Sequence, residues 1–546
     1  MRNLPIALLL AASFIGSGIA HAQDPYKADR ERWLRIAEQC MPELNYEECR
    51  PVAVVKPVKD DSAYLGWRYE KVCDAEEFLS QEFNDVKEVT LDFGRHMTGY
   101  CTFRIKTLKP IQDAPIRLKL FFGEVPSELN YPLEPWEGGA RGWLQDETVT
   151  AEFADTDVIV PRRVSFRYLK IQVLATTTNQ FRFALDVKFR AQTSAGPLLT
   201  TLEPGCPKEI ADINRVSVAT LRECMQTVYE DGPKRDRRLW IGDMYLEYLA
   251  NRYSFRDANL VKRCLYLFAG TAREDGQLSP NVFEVPSPRD GADSYLMPYC
   301  LLYNSTLMEY LNDTGDYETA NDLWKVAYNQ MEGALRFVDG RGVFNRDLFD
   351  GDVWLFQDWR KDLDSNAPMQ GAVIFGLDQS VELARMLGHG DEVKHWEAMS
   401  KKMKEAARKY LYDKKRGVFL SGPDRQLSVL GQVWLVKAGV LSQKEARKAI
   451  TTALSDPDSV FPGTPYATHY LIEAMLLSGM NDEARDYLVK YWGGMVKEGA
   501  DTFWECYATD SADISSLGLA ALNSYCHAWS STPVYFIHKY PEVFQR

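Results

Sequence analysis

The spacing of apolar residues changes once along this 546-residue chain, near residue 200, and that change limits the possible folds more than any other feature. Up to Arg190, short runs such as 100–106 and 116–122 alternate apolar and polar residues. Alternation with a period of two, rich in β-branched and aromatic residues and interrupted by turns, predicts an antiparallel β-sandwich. From Pro207 onward the apolar spacing is helical, and no run predicts a strand.

The helical part predicts twelve helices in six consecutive hairpins. Short glycine-containing links, such as 388–390 and 439–442, separate neighbouring helices. Six hairpins predict an (α/α)6 barrel, in which inner and outer helices alternate and the loops at one end meet around a central pocket. The predicted helices are 207–229, 239–253, 257–273, 294–312, 316–338, 368–387, 390–411, 425–438, 442–455, 465–479, 481–498 and 514–530.

The N-terminus predicts a signal peptide. Arg2 precedes a short apolar run, and Ala20-His21-Ala22 matches a small-x-small cleavage site. The apolar run is too short to span a membrane, so we expect an exported protein, periplasmic or extracellular, without a membrane span. The predicted organisation is a signal peptide at 1–22, a β-sandwich domain with a leading segment at 23–200, and the (α/α)6 barrel at 201–546.

Composition excludes several classes of function. The 64 Lys and Arg against 77 Asp and Glu give a net charge of −13, which argues against a nucleic-acid-binding protein. The ten cysteines include no CxxC pair and the seven histidines no HExxH motif, so we expect no metal and no cofactor. Two alternatives stay open for the cysteines: a Cys40–Cys49 disulfide, or mostly buried thiols.

The most unusual stretch is 231–243, between the first two predicted helices. A carboxyl beside cations normally stays ionised, so a general acid here must lie against a second carboxylate or an apolar wall. An ion-pair network at a helix start has the same composition, and residue types alone leave both interpretations open. The charged and aromatic residues are Asp231, Lys234, Arg235, Asp236, Arg237, Arg238, Trp240 and Asp243.

A second stretch, 499–507, surrounds Glu505 with aromatic residues directly after a predicted helix. A carboxylate at an aromatic rim suits a general base that holds a water beside a sugar ring. A partly buried glutamate with an ordinary hydrogen-bond partner is an equal alternative. Two acidic groups brought together from distant segments meet the minimum requirement of a glycosidase.

Other loops at predicted helix starts or ends carry further acidic and aromatic groups. Asp290 and Asp293 are possible helix caps. A lone histidine such as His527 is more often a satisfied core residue than a catalyst, if its helix is packed. The remaining candidates of these loops are Asp352, Trp354, Asp358, Trp359 and Trp529.

These motifs resemble those of the α-L-rhamnosidases of glycoside hydrolase family 78. The run 231–243 is similar to the family's motif between the first two barrel helices, and 502–505 is similar to its downstream Trp-Glu motif. Residues 526–530, followed by 533–536, are similar to its late His-Gly-Trp-Ser block. The resemblance extends from about residue 60 to the end of the chain.

The resemblance implies an exo-acting, inverting hydrolase that needs no metal for its chemistry. It implies that Asp236 is the general acid and Glu505 the general base. It further implies that the terminal sugar is bound through its hydroxyls by Asp231, Arg235 and Asp243, with Asp293 and His527 as additional ligands. The implied aromatic contacts to the substrate are Trp240, Trp354, Trp359 and Trp504.

The chain departs from the family pattern at 236–238, where many members have Asp-Glu-Arg and use the glutamate as acid; a shorter variant of the motif uses aspartate alone. We predict removal of terminal α-L-rhamnose from a glycan or glycoside by a monomer or homodimer. One alternative is another six-hairpin enzyme, such as an unsaturated uronyl hydrolase whose substrate carboxylate Arg235 and Arg237 could bind. The other is a carbohydrate-binding member that has lost catalysis.

Overall fold

A computed structural model describes residues 24–110, 112–131, 136, 140–177, 180–291, 295–508 and 514–546. The predicted signal peptide at 1–22 lies outside these residues. Within them, an antiparallel sheet domain is followed by a helical domain, which confirms the predicted fold class.

The described part of the sheet domain contains nine strands, and short helices flank them. In β5 and the second half of β9, alternate residues are buried, as expected for strands with one apolar face. The helices of this part are α1 (Arg30–Gln39), α2 (Ala75–Ser80) and α3 (Pro126–Asn130). The strands are β1 (Asn45–Cys49), β2 (Ala53–Lys59), β3 (Trp67–Asp74), β4 (Glu88–Lys109), β5 (Ile116–Gly123), β6 (Asp146–Ala151), β7 (Asp157–Ile159), β8 (Val164–Ala175) and β9 (Arg182–Thr193).

The long strand β4 belongs to both layers of the sandwich. Its first half pairs with β2 and β8, and its second half pairs with β7 and β9. A register shift between Asp92 and Met97 separates the halves, and such irregularities bend a strand. Phe166 of β8 and Phe189 of β9 meet between the layers with ring centroids 4.9 Å apart. The core of the domain is therefore aromatic.

Among its described residues, the helical domain contains eleven helices of nine or more residues. The helices are α4 (Lys208–Cys224), α5 (Ile241–Arg252), α6 (Ala258–Gly270), α7 (Met297–Thr314), α8 (Tyr317–Leu335), α9 (Asn366–Leu387), α10 (Lys394–Ala406), α11 (Val429–Lys437), α12 (Gln443–Ser455), α13 (Pro465–Leu477) and α14 (Asn481–Lys497). The short helices α15 (Pro533–Lys539) and α16 (Pro541–Phe544) follow. The links from α5 to α6, α7 to α8, α9 to α10, α11 to α12 and α13 to α14 are short, so the two helices of each of these pairs are hairpin neighbours.

Alternate helices form the inner ring of the barrel. Helices α5, α7, α9, α11 and α13 contact one another in that order, and α6, α8, α10, α12 and α14 pack outside them. The inner helices are buried almost all round, whereas outer helices such as α10 bury only one face. A helix that is apolar on every side belongs in a core, which explains this arrangement.

The predicted helix at 514–530 is wrong. The sixth inner position is taken instead by a 3₁₀ turn, Ala528–Ser531, which contacts both α5 and α13, and by α15. Ser530 donates its hydroxyl to the carbonyl of Trp504, and Ser531 donates to Ala528, so these side chains compete with helical hydrogen bonding. Pro533 then starts α15, where its missing N–H costs nothing.

The sheet domain supports three loops of the helical domain. Lys234 forms buried ion pairs with Glu124 and Glu128 at 3.2 and 2.6 Å. Glu124 also accepts the backbone N–H of Tyr525 at 2.7 Å, and the backbone N–H of His96 donates to Asp501 at 2.8 Å. The loops around residues 234, 501 and 525 are therefore anchored on the sandwich.

All ten cysteines are free thiols in the structure, and six of them are buried. Cys40 and Cys49 are both half-buried and unpaired. Of the two alternatives left open by the sequence, the structure therefore supports mostly buried thiols and not the Cys40–Cys49 disulfide.

Candidate active site

A cavity lies where the loops at one end of the helical ring converge. The residues to which the family resemblance assigned a role line it, with two exceptions: Asp293 lies outside the described residues, and Trp504 belongs to a different cavity. The lining residues are Asp231, Arg235, Asp236, Trp240, Asp243, Leu296, Tyr299, Trp354, Phe356, Trp359, Glu505, His527 and Trp529.

The prediction that Trp504 contacts the substrate does not agree with its position. Its ring packs on Tyr64 and Tyr525, with centroids 4.2 and 5.5 Å apart, in the cleft between the two domains. Neighbouring residues of an extended segment point to opposite sides, so Glu505 faces the cavity and Trp504 faces away from it. The Trp-Glu motif therefore has its carboxylate, Glu505, in the cavity and its tryptophan, Trp504, outside it.

Four lining residues were not among those to which the family resemblance assigned a role. Phe356 lies between two predicted tryptophans, and Trp529 follows His527 by two positions, so proximity in sequence was a usable signal for both. Leu296 and Tyr299 lie at the start of α7 in an ordinary apolar pattern. Only the packing of α7 against α5 brings these two residues to the cavity.

The loop before α5 folds around the carboxylate of Asp231. This carboxylate accepts the backbone N–H of Arg238 at 3.1 Å and that of Asp236 at 3.4 Å. Gly232 is required because a Cβ atom there would lie 2.5 Å from the hydroxyl of Ser524 and 2.6 Å from the carbonyl of Arg235. The loop thereby holds Asp231 inside the cavity and Asp236 at its edge, where the Asp236 side chain is 18% exposed.

Glu505 is a buried carboxylate held by fixed donors. Its segment runs beside residues 524–527, and its Oε2 accepts the backbone N–H of Ser524 at 3.1 Å and an N–H of Arg235. Burial alone would raise the pKa of Glu505, but the charge and hydrogen bond of Arg235, together with His527 and the N–H of Ser524, outweigh burial and lower this pKa to about 2. Glu505 is therefore ionised at neutral pH.

Arg235 connects the two candidate catalytic carboxylates. One guanidinium nitrogen contacts Glu505, and another lies 3.8 Å from Oδ1 of Asp236. Its Nε donates to the carbonyl of Leu522 at 2.9 Å, which fixes the plane of the group. Asp236 and Glu505 therefore lie on different sides of a single buried cation.

Two further acids line the deep part of the cavity. Burial and the neighbouring Asp236 and Asp243 raise the pKa of Asp231 well above its ordinary value. The pKa of Asp243, in the first turn of α5, is also raised, by burial and by Glu505, although His527 opposes the shift. Nε2 of His527 lies 3.2 Å from Oδ1 of Asp243, but neither His527 ring nitrogen has an aligned hydrogen-bond partner among the described residues. These groups are available to a polar ligand.

Aromatic rings form one wall of the cavity. The centroid of Phe356 lies 5.3 Å from that of Trp354 and 5.0 Å from that of Trp359, and the ring is nearly parallel to Trp529 at 6.1 Å. The intervening Asp358 turns away and accepts from the hydroxyl of Thr464 at the start of α13. The cavity thus combines an apolar wall with several carboxylates, an arrangement that suits a carbohydrate.

We expect Arg235→Gln to move the acidic limb of the pH profile of kcat/KM to higher pH by about one unit or more. Removing the cation leaves burial as the dominant influence, so the pKa of Glu505 rises and its ionised form is lost at higher pH. Ser516→Ala is the matched control, because it removes only a 3.0 Å contact of the same guanidinium. An acidic limb at the same pH in Arg235→Gln as in the wild-type protein would contradict this prediction.

Gly242→Ala is expected to lower stability by about 1–3 kcal/mol and to reduce kcat/KM. The added Cβ would lie 2.4 Å from the ring of Tyr299, which is almost fully buried and lines the cavity beside Asp243. Thermal denaturation and kinetics measure both effects. Gly340→Ala, where nothing lies within 4 Å of the added atom, is the control and should change neither.

Two features are absent from the described part of the chain. No group of three or more His, Cys, Asp or Glu side chains there is arranged to hold a metal ion. None of the helices within it has both the length and the apolar character that crossing a membrane requires.

Comparison with protein families identifies both parts of the chain. Residues 51–191 match the glycosyl hydrolase family 78 alpha-rhamnosidase N-terminal domain. Residues 207–540 match the bacterial alpha-L-rhamnosidase 6 hairpin glycosidase domain. A search of curated protein sequences gave no match.

Solved structures show the same relationship. The rhamnosidase from Klebsiella oxytoca with rhamnose bound is 38% identical, and the match covers 94% of this chain and 99% of that one with a TM-score of 0.88. The family 78 rhamnosidase of Bacillus sp. GL1 is 22% identical, with 86% and 49% covered and a TM-score of 0.71. The alpha-L-rhamnosidase of Streptomyces avermitilis complexed with L-rhamnose is 14% identical, with 91% and 44% covered and a TM-score of 0.64. The last two comparisons concern the fold alone.

Proposed function

Because the chain belongs to the α-L-rhamnosidases of glycoside hydrolase family 78, we propose that it removes terminal α-L-rhamnose from glycans or glycosides by a single inverting displacement. In this proposal Asp236 is the general acid and Glu505 the general base. One observation carries it: two carboxylates from distant segments face the same aromatic cavity on different sides of Arg235.

The environments of the two carboxylates suit different roles. Glu505 is buried, ionised and held by Arg235 and the Ser524 N–H, so it can accept a proton from a water beside the anomeric carbon. Asp236 lies at the cavity edge, where the bond to the departing group must emerge. Inverting enzymes keep their two carboxyl groups about 6.5–9.5 Å apart to leave room for the water. A guanidinium between the two groups supports a separation of this order.

The deep part of the cavity suits the hydroxyls of a terminal sugar. Asp231, Asp243 and His527 offer oxygen and nitrogen atoms that have few partners of their own. A buried polar group left without a partner is costly, so a ligand that supplies hydroxyls there is favoured. The apolar wall of Trp354, Phe356 and Trp359 suits the C5 methyl group that distinguishes rhamnose from hydroxymethyl sugars.

Rhamnose release from a pair of aryl glycosides tests this function. Aryl α-L-rhamnoside and aryl α-L-mannoside differ only by the hydroxyl on C6, and we expect kcat/KM to favour the rhamnoside by about 10–200-fold. Equal kcat/KM values for the two compounds would contradict the proposed role of the apolar wall in selecting rhamnose. Sugar binding without release from either compound would instead support a member that has lost catalysis.

A further inference from the structure

The side of Asp236 that faces away from the cavity marks the position of the leaving group. An exo-acting hydrolase encloses the terminal sugar, and its general acid contacts the oxygen of the bond to the next residue. Side chains that touch Asp236 without lining the cavity therefore lie where the next residue of the substrate must sit. Arg238 meets this condition, because its guanidinium lies 3.9 Å from Oδ2 of Asp236 and does not line the cavity.

Arg238 is held in place by aromatic rings. Its guanidinium lies 4.1 Å from the ring centre of Phe283 and 5.9 Å from that of Trp143, a residue of the sheet domain. Phe283 belongs to a small three-stranded sheet whose first strand follows the loop that carries Asp231 and Asp236. The strands are β10 (Leu239–Trp240), β11 (Asn281–Phe283) and β12 (Arg289–Asp290). Arg289, exposed on β12, lies 4.6 Å from the same ring centre.

The guanidinium of Arg238 has no hydrogen-bond partner among the described residues. Its Nε is buried and unpartnered, and the contact to Asp236 is too long for a hydrogen bond. Arg289 donates only to the carbonyl of Val285, at 2.9 Å, and pairs with no described acid. The planar fork of an arginine matches a carboxylate, so both groups have binding capacity that the described protein does not use.

Positive charge is in excess around Arg238, on the side of Asp236 that faces away from the cavity. Within the described residues, Arg237, next in sequence, donates only from Nε to the carbonyl of Lys234. Burial and the nearby charges of Arg163 and Arg162 lower the pKa of Arg237 to about 10. Arg163 and Arg162 are themselves neutralised, by Glu230 and Glu147 respectively, each at 2.7 Å. In a chain with a net charge of −13, Arg237 and Arg289 therefore lie beside the site without an acidic partner among the described residues, an arrangement that suits an anionic ligand.

We propose that Arg238 and Arg289 form a leaving-group subsite for a uronic acid, so that the preferred substrates carry terminal α-L-rhamnose on an acidic sugar. Arg238 binds the carboxylate, Arg289 adds charge at the outer edge, and Phe283 and Trp143 keep the guanidinium of Arg238 in position. This inference rests on the proposed function and adds the chemical class of the residue that is released.

Matched disaccharides test the inference. The methyl glycosides of rhamnosyl-α-glucuronate and rhamnosyl-α-glucose, in the 1→2, 1→3 and 1→4 linkages, differ within each pair only by carboxylate against hydroxymethyl. We expect kcat/KM of the wild-type protein to favour the uronate about tenfold in at least one linkage, as for one charge-assisted hydrogen-bonded pair. Aryl α-L-rhamnoside is assayed in parallel.

Two variants localise the preference. Arg238→Gln should reduce the uronate-to-glucose ratio to near one, and Arg289→Gln, at an exposed position less prone to folding defects, should reduce it in part. Arg35→Gln removes the same charge from the exposed face of α1 and should leave the ratio unchanged. A wild-type ratio near one in every linkage, or a ratio that survives in both site variants, would overturn the subsite alone. No rhamnose release from any compound, the aryl rhamnoside included, would overturn the proposed function and the subsite together.

Discussion

Glu505→Gln is expected to lower kcat by about 10³-fold for every rhamnoside tested, whatever its leaving group. The base acts on the attacking water, so its loss slows the displacement regardless of the group that departs. The amide keeps the shape of the side chain and can still accept the N–H of Ser524, so the fold should persist. Initial rates with aryl and alkyl α-L-rhamnosides, together with circular dichroism, measure both points.

The buried charge of Arg235 complicates this variant, because it loses its partner Glu505. Stability should therefore fall by up to about 3–5 kcal/mol, so rates must be taken well below the melting temperature. Glu498→Gln, at an exposed position shortly before the same segment, is the matched control and should keep full activity. Retained turnover in folded Glu505→Gln would assign the base to another group.

Asp236→Asn is expected to show a loss that depends on the leaving group. Proton donation to the departing oxygen contributes about 10²–10⁴-fold when that oxygen is a poor leaving group. Alkyl rhamnosides and disaccharides should therefore lose most of their turnover, whereas aryl rhamnosides with acidic phenols should lose far less. The comparison of kcat across a series of leaving groups measures this slope.

An equal loss for all leaving groups would show that Asp236 does not act as the acid. Asp231 is the alternative in that case, because burial and the neighbouring acids raise its pKa well above its ordinary value, which favours the protonated form that a general acid needs. Asp231→Asn would then have to show the leaving-group dependence. The contrast with Glu505→Gln, which should slow all substrates alike, separates the two roles within one data set.

Sequence periodicity predicted most of the fold, because most strands and helices bury one face and their apolar residues therefore recur with the period of that element. The alternation in 100–106 and 116–122 corresponds to parts of β4 and β5, and the apolar spacing of 465–479 corresponds to α13. The segment 514–530 has helical spacing as well, yet it contains no α-helix, only short 3₁₀ turns. The hydroxyl of Ser530 donates to the backbone carbonyl of Trp504. Backbone hydrogen bonds also join the segment to the loop that carries Glu505. Tertiary contacts of this kind leave no periodic signal.

The site was predictable where its residues cluster in sequence. The loop 231–243 and the segment around Glu505 stand out by composition, and the structure brings both to one cavity. Tyr299 was not predictable, because the sequence shows it only as one apolar residue among many in α7. Its place in the cavity results from the packing of α7 against α5. The prediction put Trp504 in the cavity, whereas the structure has it outside, because a motif names neighbouring residues without giving the direction of each side chain.

The anomeric configuration of the first rhamnose released is the most direct test of the central claim. Proton NMR during the first minutes of aryl α-L-rhamnoside hydrolysis distinguishes the two anomers before they equilibrate in solution. A single displacement of water across Asp236 and Glu505 predicts that β-L-rhamnose appears first and that the α anomer follows by mutarotation. Initial formation of α-L-rhamnose would require a covalent intermediate and would contradict the assignment of Glu505 as a base acting through water.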